Sequence, residues 1–328
     1  MVRPAIDLGN AQHIGGRKDQ QDSFGFSSIA DPMFAAHAGV AAVLADGMGG
    51  LAHGELASRT AVHAFLLHYQ LKTTAETIPQ ALARSLAAAN DAVIALGPEG
   101  ELGATLVAAV VAGAHLHWIT VGDSALTLFR GGQFCLLAEL HTYASELDAR
   151  VRLGEISAAA ALADPQREAL SSYLGQRRLE RVERSGDPLE LAAGDRVLLA
   201  SDGIFKTLSA AEMAEAMPGS AQETCDALLE RVLLKSLPEQ DNATVIVFGI
   251  PAAPLAIPPP ARRPRRNLLA AAAALSLGAA AVWVLAGLPS PPAVARPVAK
   301  PASAAAAPLP PETGPRKPSP DDEPDETP

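Results

Sequence analysis

The sequence predicts an α+β fold, and two observations carry that expectation. Its apolar, β-rich runs follow one another with only short turns between neighbours, as antiparallel strands do. Its helical stretches come in pairs between the strand runs, not one per strand as a doubly wound fold requires. The expected strands are Gln12–Ile14, Asp22–Phe26, Val40–Ala45, Thr105–Ala112, His115–Val121, Ala125–Arg130, Phe134–Leu137, Arg196–Ala200 and Ala243–Ile250. AGA at 112–114 and GG at 131–132 supply tight turns between them. Gly54–Tyr69 and Ala75–Leu96 form one expected helix pair. Ser209–Met217 and Ala221–Ser236 form the other, with Ser209 and Ser220 placed to cap them. No internal repeat is visible.

Composition changes sharply near residue 250. PAAPLAIPPPA favours extended polyproline conformations and cannot build a core, so a globular domain is expected over 1–250 and a Pro/Arg-rich linker over 251–267. Residues 268–288, LLAAAAALSLGAAAVWVLAGL, carry no charge. At ~1.5 Å per residue the stretch spans about 32 Å, close to the ~30 Å hydrocarbon core, which predicts one transmembrane helix. Arg262, Arg263, Arg265 and Arg266 precede it, whereas Arg296 and Lys300 are the nearest cations after it. That bias places 1–266 in the cytoplasm of a single-pass membrane protein and the Pro/Ala-rich, acid-ended tail 289–328 outside, disordered.

The 328 residues carry a formal charge of −10, from 26 basic and 36 acidic side chains. Nucleic-acid binding is not expected of such a balance, because it needs excess Lys and Arg. Cys135 and Cys225 lie far apart without metal-ligand spacing, and two buried thiols in a reducing compartment are expected.

Four apolar runs end on, or begin at, a carboxylate beside Gly, Ser or Asn: AAVLADGMGG with Asp46, HWITVGDS with Asp123, DRVLLASDG with Asp202 and DNATVIVF with Asp241. One such Asp is an ordinary turn residue. Four on neighbouring strands converge on one rim, and anions that close require hard divalent cations with oxygen ligands. No Cys or His accompanies them, which points to Mg²⁺ or Mn²⁺. Gly47 would let a backbone carbonyl approach an ion. Asp22 adds a fifth carboxylate, and Arg17, five residues earlier, a guanidinium suited to two phosphate oxygens. Two ions and a bridging water would hydrolyse a phosphate ester by in-line attack, without a covalent enzyme intermediate.

The ordered series RKDQQD (17–22), VLADGMGGLAHGELAS (43–58), LGATLVAA (102–109), VGDS (121–124), LLASDGIFKTLS (198–209) and DNATVIVF (241–248) resembles the bacterial branch of the PP2C (PPM) family of metal-dependent protein serine/threonine phosphatases. Residues 154–175, GEISAAAALADPQREALSSYLG, resemble the family's variable flap. The resemblance covers roughly residues 9–250. It implies an α/β/β/α four-layer β-sandwich flanked by helix pairs, acting on phosphoserine and phosphothreonine of cytoplasmic proteins in opposition to a cognate kinase. By position, Asp46 resembles the acid bridging two metals, Gly47 the carbonyl ligand, and Asp202 and Asp241 terminal ligands. Asp22 resembles the first-motif ligand, Arg17 the phosphate-binding arginine, and Asp123 a ligand of a weaker third ion.

The chain departs from the family pattern at several points. Gln20-Gln21-Asp22 stands for Asn-Glu-Asp, Met48 for a histidine found in some eukaryotic members, Ala125 for an arginine, and Leu140-His141-Thr142 for Asp-His-Ser. Lys206 stands for an acid near the third ion; its ammonium either lies beside Asp123 and Asp202 or points to solvent at the turn to Ser209. His115 and His117 are expected on a solvated strand face, and His53 has no assigned role. The alternative classes are a pseudophosphatase scaffold, against which the retained ligands speak, and another metal-dependent phosphoesterase such as a nuclease, disfavoured by the acidic balance.

Overall fold

Alternation along one strand organises the whole domain. In β3 (Val40–Met48), Ala41, Val43 and Ala45 join one buried cluster and Ala42 and Leu44 another, so successive side chains feed two different layers. The computed structural model describes residues 6–28, 31–48, 53–98 and 100–251. In chain order the remaining strands are β1 (Asp7–His13), β2 (Asp22–Phe26), β4 (Gly103–Ala104), β5 (Leu106–Ala112), β6 (His115–Val121), β7 (Ala125–Arg130), β8 (Gln133–Leu136), β9 (Glu183–Arg184), β10 (Leu189–Glu190), β11 (Arg196–Ala200) and β12 (Ala243–Gly249). The helices are α1 (Pro32–Ala38), α2 (His53–Tyr69), α3 (Ile78–Ile94), α4 (Tyr143–Arg152), α5 (Ala158–Ala163), α6 (Asp202–Phe205), α7 (Ala210–Glu215) and α8 (Ala221–Leu234).

Among the described residues one sheet runs β1-β12-β11-β7-β8 and the other β10-β6-β5-β3-β2, with β4 on β3 and β9 on β6; every pairing is antiparallel. Leu44, Val107, Leu116, Leu126, Leu199, Ile246 and Phe248 meet between the sheets. The opposite face of β3, β5 and β6 packs on α2 and α3, where Phe65 and Tyr69 are fully buried. The opposite face of β11 and β12 packs on α6 and α8 through Ile204, Cys225, Leu228 and Val232. The expected sandwich between helical layers is therefore present.

Capping chemistry sets the helix starts. Ser209 and Ser220 each accept from the backbone N–H three residues on while Glu212 and Glu223 return the bond, two complete capping boxes. Thr77 and Gln80 form a third, and for that reason α3 begins at Ile78 rather than at Ala75. α1 was not expected; Asp31 caps it, Pro32 opens it and Gly39, at φ 71°, ends it.

Several expectations need correction. β3 does not stop at Ala45: Asp46 pairs with Asp22, Gly47 with Ala104 and Met48 with Gly103, so the acid lies inside the strand. β1 runs Asp7–His13 instead of Gln12–Ile14, because fully buried β12 supplies a partner along its whole length. Cys225 is buried, which pushes its thiol up to about 12, but Cys135 is exposed on edge strand β8. His115 is exposed, whereas His117 is half-buried. The membrane span 268–288 and tail 289–328, and the linker beyond Pro251, lie outside the described residues. Among the described residues no helix is long and apolar enough to cross a membrane.

Leu44 is fully buried between the sheets and Leu71 is 63% exposed. Leu44→Ala is expected to cost about 2–5 kcal/mol and Leu71→Ala no more than about 0.5 kcal/mol in urea denaturation.

Candidate metal centre

The alternation that fills the inter-sheet core also aims four polar residues into its end. Asp22 shares the parity of Phe24 and Phe26, Asp46 that of Ala42 and Leu44, Ser201 that of Val197 and Leu199, and Thr244 that of Ile246 and Phe248. Asp22 and Asp46 are register partners across β2 and β3. Asp22 Oδ2 accepts from Ser201 Oγ at 2.8 Å and from Thr244 Oγ1 at 2.6 Å, both on the opposite sheet. Thr244 N–H donates in turn to Ser201 Oγ at 2.9 Å, and Gln12 Nε2 donates to Thr244 Oγ1 at 3.0 Å. Ser201 occupies the N-cap of α6 yet makes no capping bond; its hydroxyl donates to Asp22 and accepts from Thr244 N–H. Asp22 Oδ1, on the same buried carboxyl, has no hydrogen-bond partner.

Asp202 follows at the first position of α6, and Asp241 stands two residues before β12. Asp241 Oδ2 pairs with Arg17 at 2.9 Å, and its Oδ1 accepts from Asn242 N–H at 2.9 Å. Arg17 reaches there because Asn242 clamps its loop: Nδ2 donates to Ile14 O at 2.7 Å and Asp19 O at 3.2 Å, while Oδ1 accepts from Gln21 N–H at 2.7 Å. The arginine side chain remains 53% exposed.

Asp123 is buried in the turn between β6 and β7. Gly122, at φ 100°, lets that turn lie on Thr105, where a Cβ would stand 2.7 Å from Thr105 Cβ. Thr105 Oγ1 bonds Ser124 Oγ at 2.7 Å and accepts from Asp46 N–H at 2.9 Å, tying the Asp123 turn to the Asp46 strand. His141, fully buried, accepts from Gly122 N–H through Nδ1 at 3.2 Å; burial first, then Arg181, lowers its pKa to about 4. Lys206 Nζ lies 3.0 Å from Asp202 Oδ2, 3.4 Å from Asp123 Oδ2 and 3.5 Å from Glu168 Oε2.

Electrostatics follow from this crowding. Burial, and then the charges of Asp22, Asp202, Asp123 and Asp241, hold the Asp46 carboxyl well above the usual carboxylate range. Burial pushes Asp22 up to about 6 even though the Thr244 and Ser201 hydroxyls pull it down; Asp202 and Asp241 raise it further. Asp123 is raised by burial and partly relieved by Lys206. For Lys206, burial works against the charge, but Asp202 and Asp123 outweigh it and raise the pKa.

An oxygen-only donor set, an unpartnered buried carboxylate oxygen on Asp22 and mutually repelling acids all fit a hard divalent cation. Gly47 is required for packing, since a Cβ there would stand 2.0 Å from Gly54 O. Among the described residues no group of three or more His, Cys, Asp and Glu side chains is already arranged to hold a metal ion. The acids are instead engaged separately: Asp22 by hydroxyls, Asp241 by Arg17, Asp202 and Asp123 by Lys206.

All seven residues singled out in the sequence, Arg17, Asp22, Asp46, Gly47, Asp123, Asp202 and Asp241, lie at one end of the sandwich. Sequence reasoning missed Ser201, Thr244, Thr105 and Asn242, which position them. A signal for the first two existed, since each continues the inward alternation of its strand by one step.

Comparison with known proteins agrees with this picture. The family described as Protein phosphatase 2C matches residues 11–240. The serine/threonine protein phosphatase PstP of Mycobacterium tuberculosis (strain CDC 1551 / Oshkosh) is 34% identical over 212 residues, covering 63% of this chain. The chain spans 40% of that relative's length. The serine/threonine phosphatase stp of Listeria innocua serovar 6a is 31% identical over 215 residues, covering 62% of this chain and 82% of the relative. The crystal structure of the PstP catalytic domain in complex with two manganese ions superposes with a TM-score of 0.58 at 27% identity, covering 75% of this chain and all of that one.

The raised Asp22 carboxyl makes a stability prediction. Between its unfolded value of 3.8 and about 6, the native state binds more protons than the unfolded state, so this group costs stability progressively as pH rises through that window. With divalent ions chelated, Asp22→Asn should gain thermal stability relative to wild type as pH rises across the same interval. A gap between the two melting curves that does not change with pH contradicts the repulsion.

Proposed function

The chain belongs to the Protein phosphatase 2C family of PPM-type serine/threonine protein phosphatases, and from that membership we propose that it hydrolyses phosphoserine and phosphothreonine in cytoplasmic proteins, opposing a protein kinase in bacterial signalling. The observation that carries the reading is the Asp46 carboxyl, faced by Asp22 across the sheet and ringed by Asp202 and Asp241, with Arg17 at its rim. Asp46, with Asp22, Asp202, Asp241 and the carbonyl of Gly47, would hold two Mn²⁺ or Mg²⁺ ions. When bound, such a pair supplies an activated water for in-line attack on phosphorus and neutralises charge on the phosphoryl oxygens.

The chain's own residues do the rest. Arg17 uses one guanidinium nitrogen on Asp241 and keeps its other donors for phosphate oxygens. Asn242 holds the loop that carries Arg17, and Ser201 and Thr244 hold Asp22 against rotation. Gln21 and Lys206 stand where relatives carry acids, but Asp22, Asp46, Asp202 and Asp241 are all present, which argues against a scaffold that has kept only the fold.

Assay of the chain on a phosphothreonine peptide, with and without Mn²⁺, tests the reading. Asp46→Asn is expected to keep the fold and lose more than about nine-tenths of the Mn²⁺-dependent rate, as the charge shared by both ions is gone. Arg17→Ala should raise KM more than it lowers kcat, and the reverse pattern would mean its phosphate contact forms only in the transition state.

Residues 268–288 are proposed to anchor the enzyme in the plasma membrane with the catalytic domain on the cytoplasmic side, supported by the uncharged 21-residue stretch and the four arginines before it. A reporter fused after Pro328 should be active outside the cytoplasm. Activity confined to the cytoplasm rejects this topology.

A further inference from the structure

Lys206 stands in an unusual setting for a lysine four residues into a short helical turn. Its Nζ lies within 3.5 Å of three carboxylates from three separate parts of the chain: Asp202 of α6, Asp123 of the β6–β7 turn and Glu168 beyond α5. The contacts are not equivalent. Glu168 is 67% exposed on its side chain, so solvent screens that pair and it contributes little. Asp123 is 9% exposed and Asp202 20%, and they repel each other across the position that the ammonium fills. Two acids so close and so little hydrated need a cation between them.

We propose that Lys206 is that cation: its ammonium neutralises Asp123 and Asp202 in place of a further divalent ion, so that Asp123 serves the lysine and not a metal. The inference rests on the two-metal reading above. Lys206 takes Asp202 through Oδ2 alone, at 3.0 Å. Asp123 is likewise already engaged by the ammonium, through Oδ2 at 3.4 Å. A permanent internal cation also differs from an exchangeable one, because it cannot be chelated away. Occupancy of this position then becomes independent of cellular metal supply.

Equilibrium dialysis of the full chain against Mn²⁺, with bound metal counted by elemental analysis, tests the assignment without reference to activity. Wild type should take up two ions per chain, and Lys206→Asp about one more, at lower affinity. Lys206→Gln, which removes the charge without adding a fourth acid, should also gain uptake, and it keeps the test usable if the aspartate variant does not fold. Adding Asp123→Asn to either variant should abolish the gain. Uptake identical in wild type and in Lys206→Gln overturns the assignment of Lys206 while leaving the two-metal reading intact. Wild type that binds no Mn²⁺ overturns both.

Discussion

Everything at the active end depends on one oxygen. Asp22 Oδ2, on the β2 side of the sandwich, is held by hydroxyls from Ser201 and Thr244 on the other sheet. Hydrogen bonds to a charged group contribute about 1.5–3 kcal/mol each, against a burial cost of several kcal/mol for a carboxylate. The hydroxyls offset only part of that cost, and burial together with the charges of Asp202 and Asp241 leaves the carboxyl pushed up to about 6. Because Asp22 pairs with Asp46 in register, anchoring one acid to the opposite sheet also fixes the other. A register slip of one residue in β2 or β3 would turn these acids toward the helical layer.

Cations then distribute the remaining charge. Arg17 takes Asp241, Lys206 takes Asp202 and Asp123, and Asp46 is left ringed by acids, its carboxyl held well above the usual range. The two cations differ in kind. Arg17 arrives on a loop, is half exposed and has donors to spare. Lys206 is a compact point charge at the end of a single helical turn, suited to filling a fixed position.

Much of this was legible in the chain. Asp22–Phe26, His115–Val121, Ala125–Arg130 and Arg196–Ala200 have the bounds that apolar alternation assigns them, and Ser209 and Ser220 cap as their residue types require. The acids were legible because a charge that interrupts a buried run is costly unless something answers it. What could not be read was set by neighbours remote in sequence. β1 takes its length from β12, β3 gains three residues by pairing with β2 and β4, and Ser201 finds Asp22 only once the two sheets are stacked. The short helices α1, α4 and α6 carry too few turns for a periodic signal, although Asp31-Pro32 and Gly39 mark the ends of the first.

The β1–β12 pairing also sets a clock. His13 bonds alongside Ala243, so the first strand waits while on the order of two hundred residues are synthesised, on the order of ten seconds or more at about 5–20 residues per second. Ser201, Asp202, Asp241 and Thr244 all emerge late as well, and Asp22 has no partner hydroxyl until they do. The acid cluster therefore cannot assemble until roughly three quarters of the chain has been made.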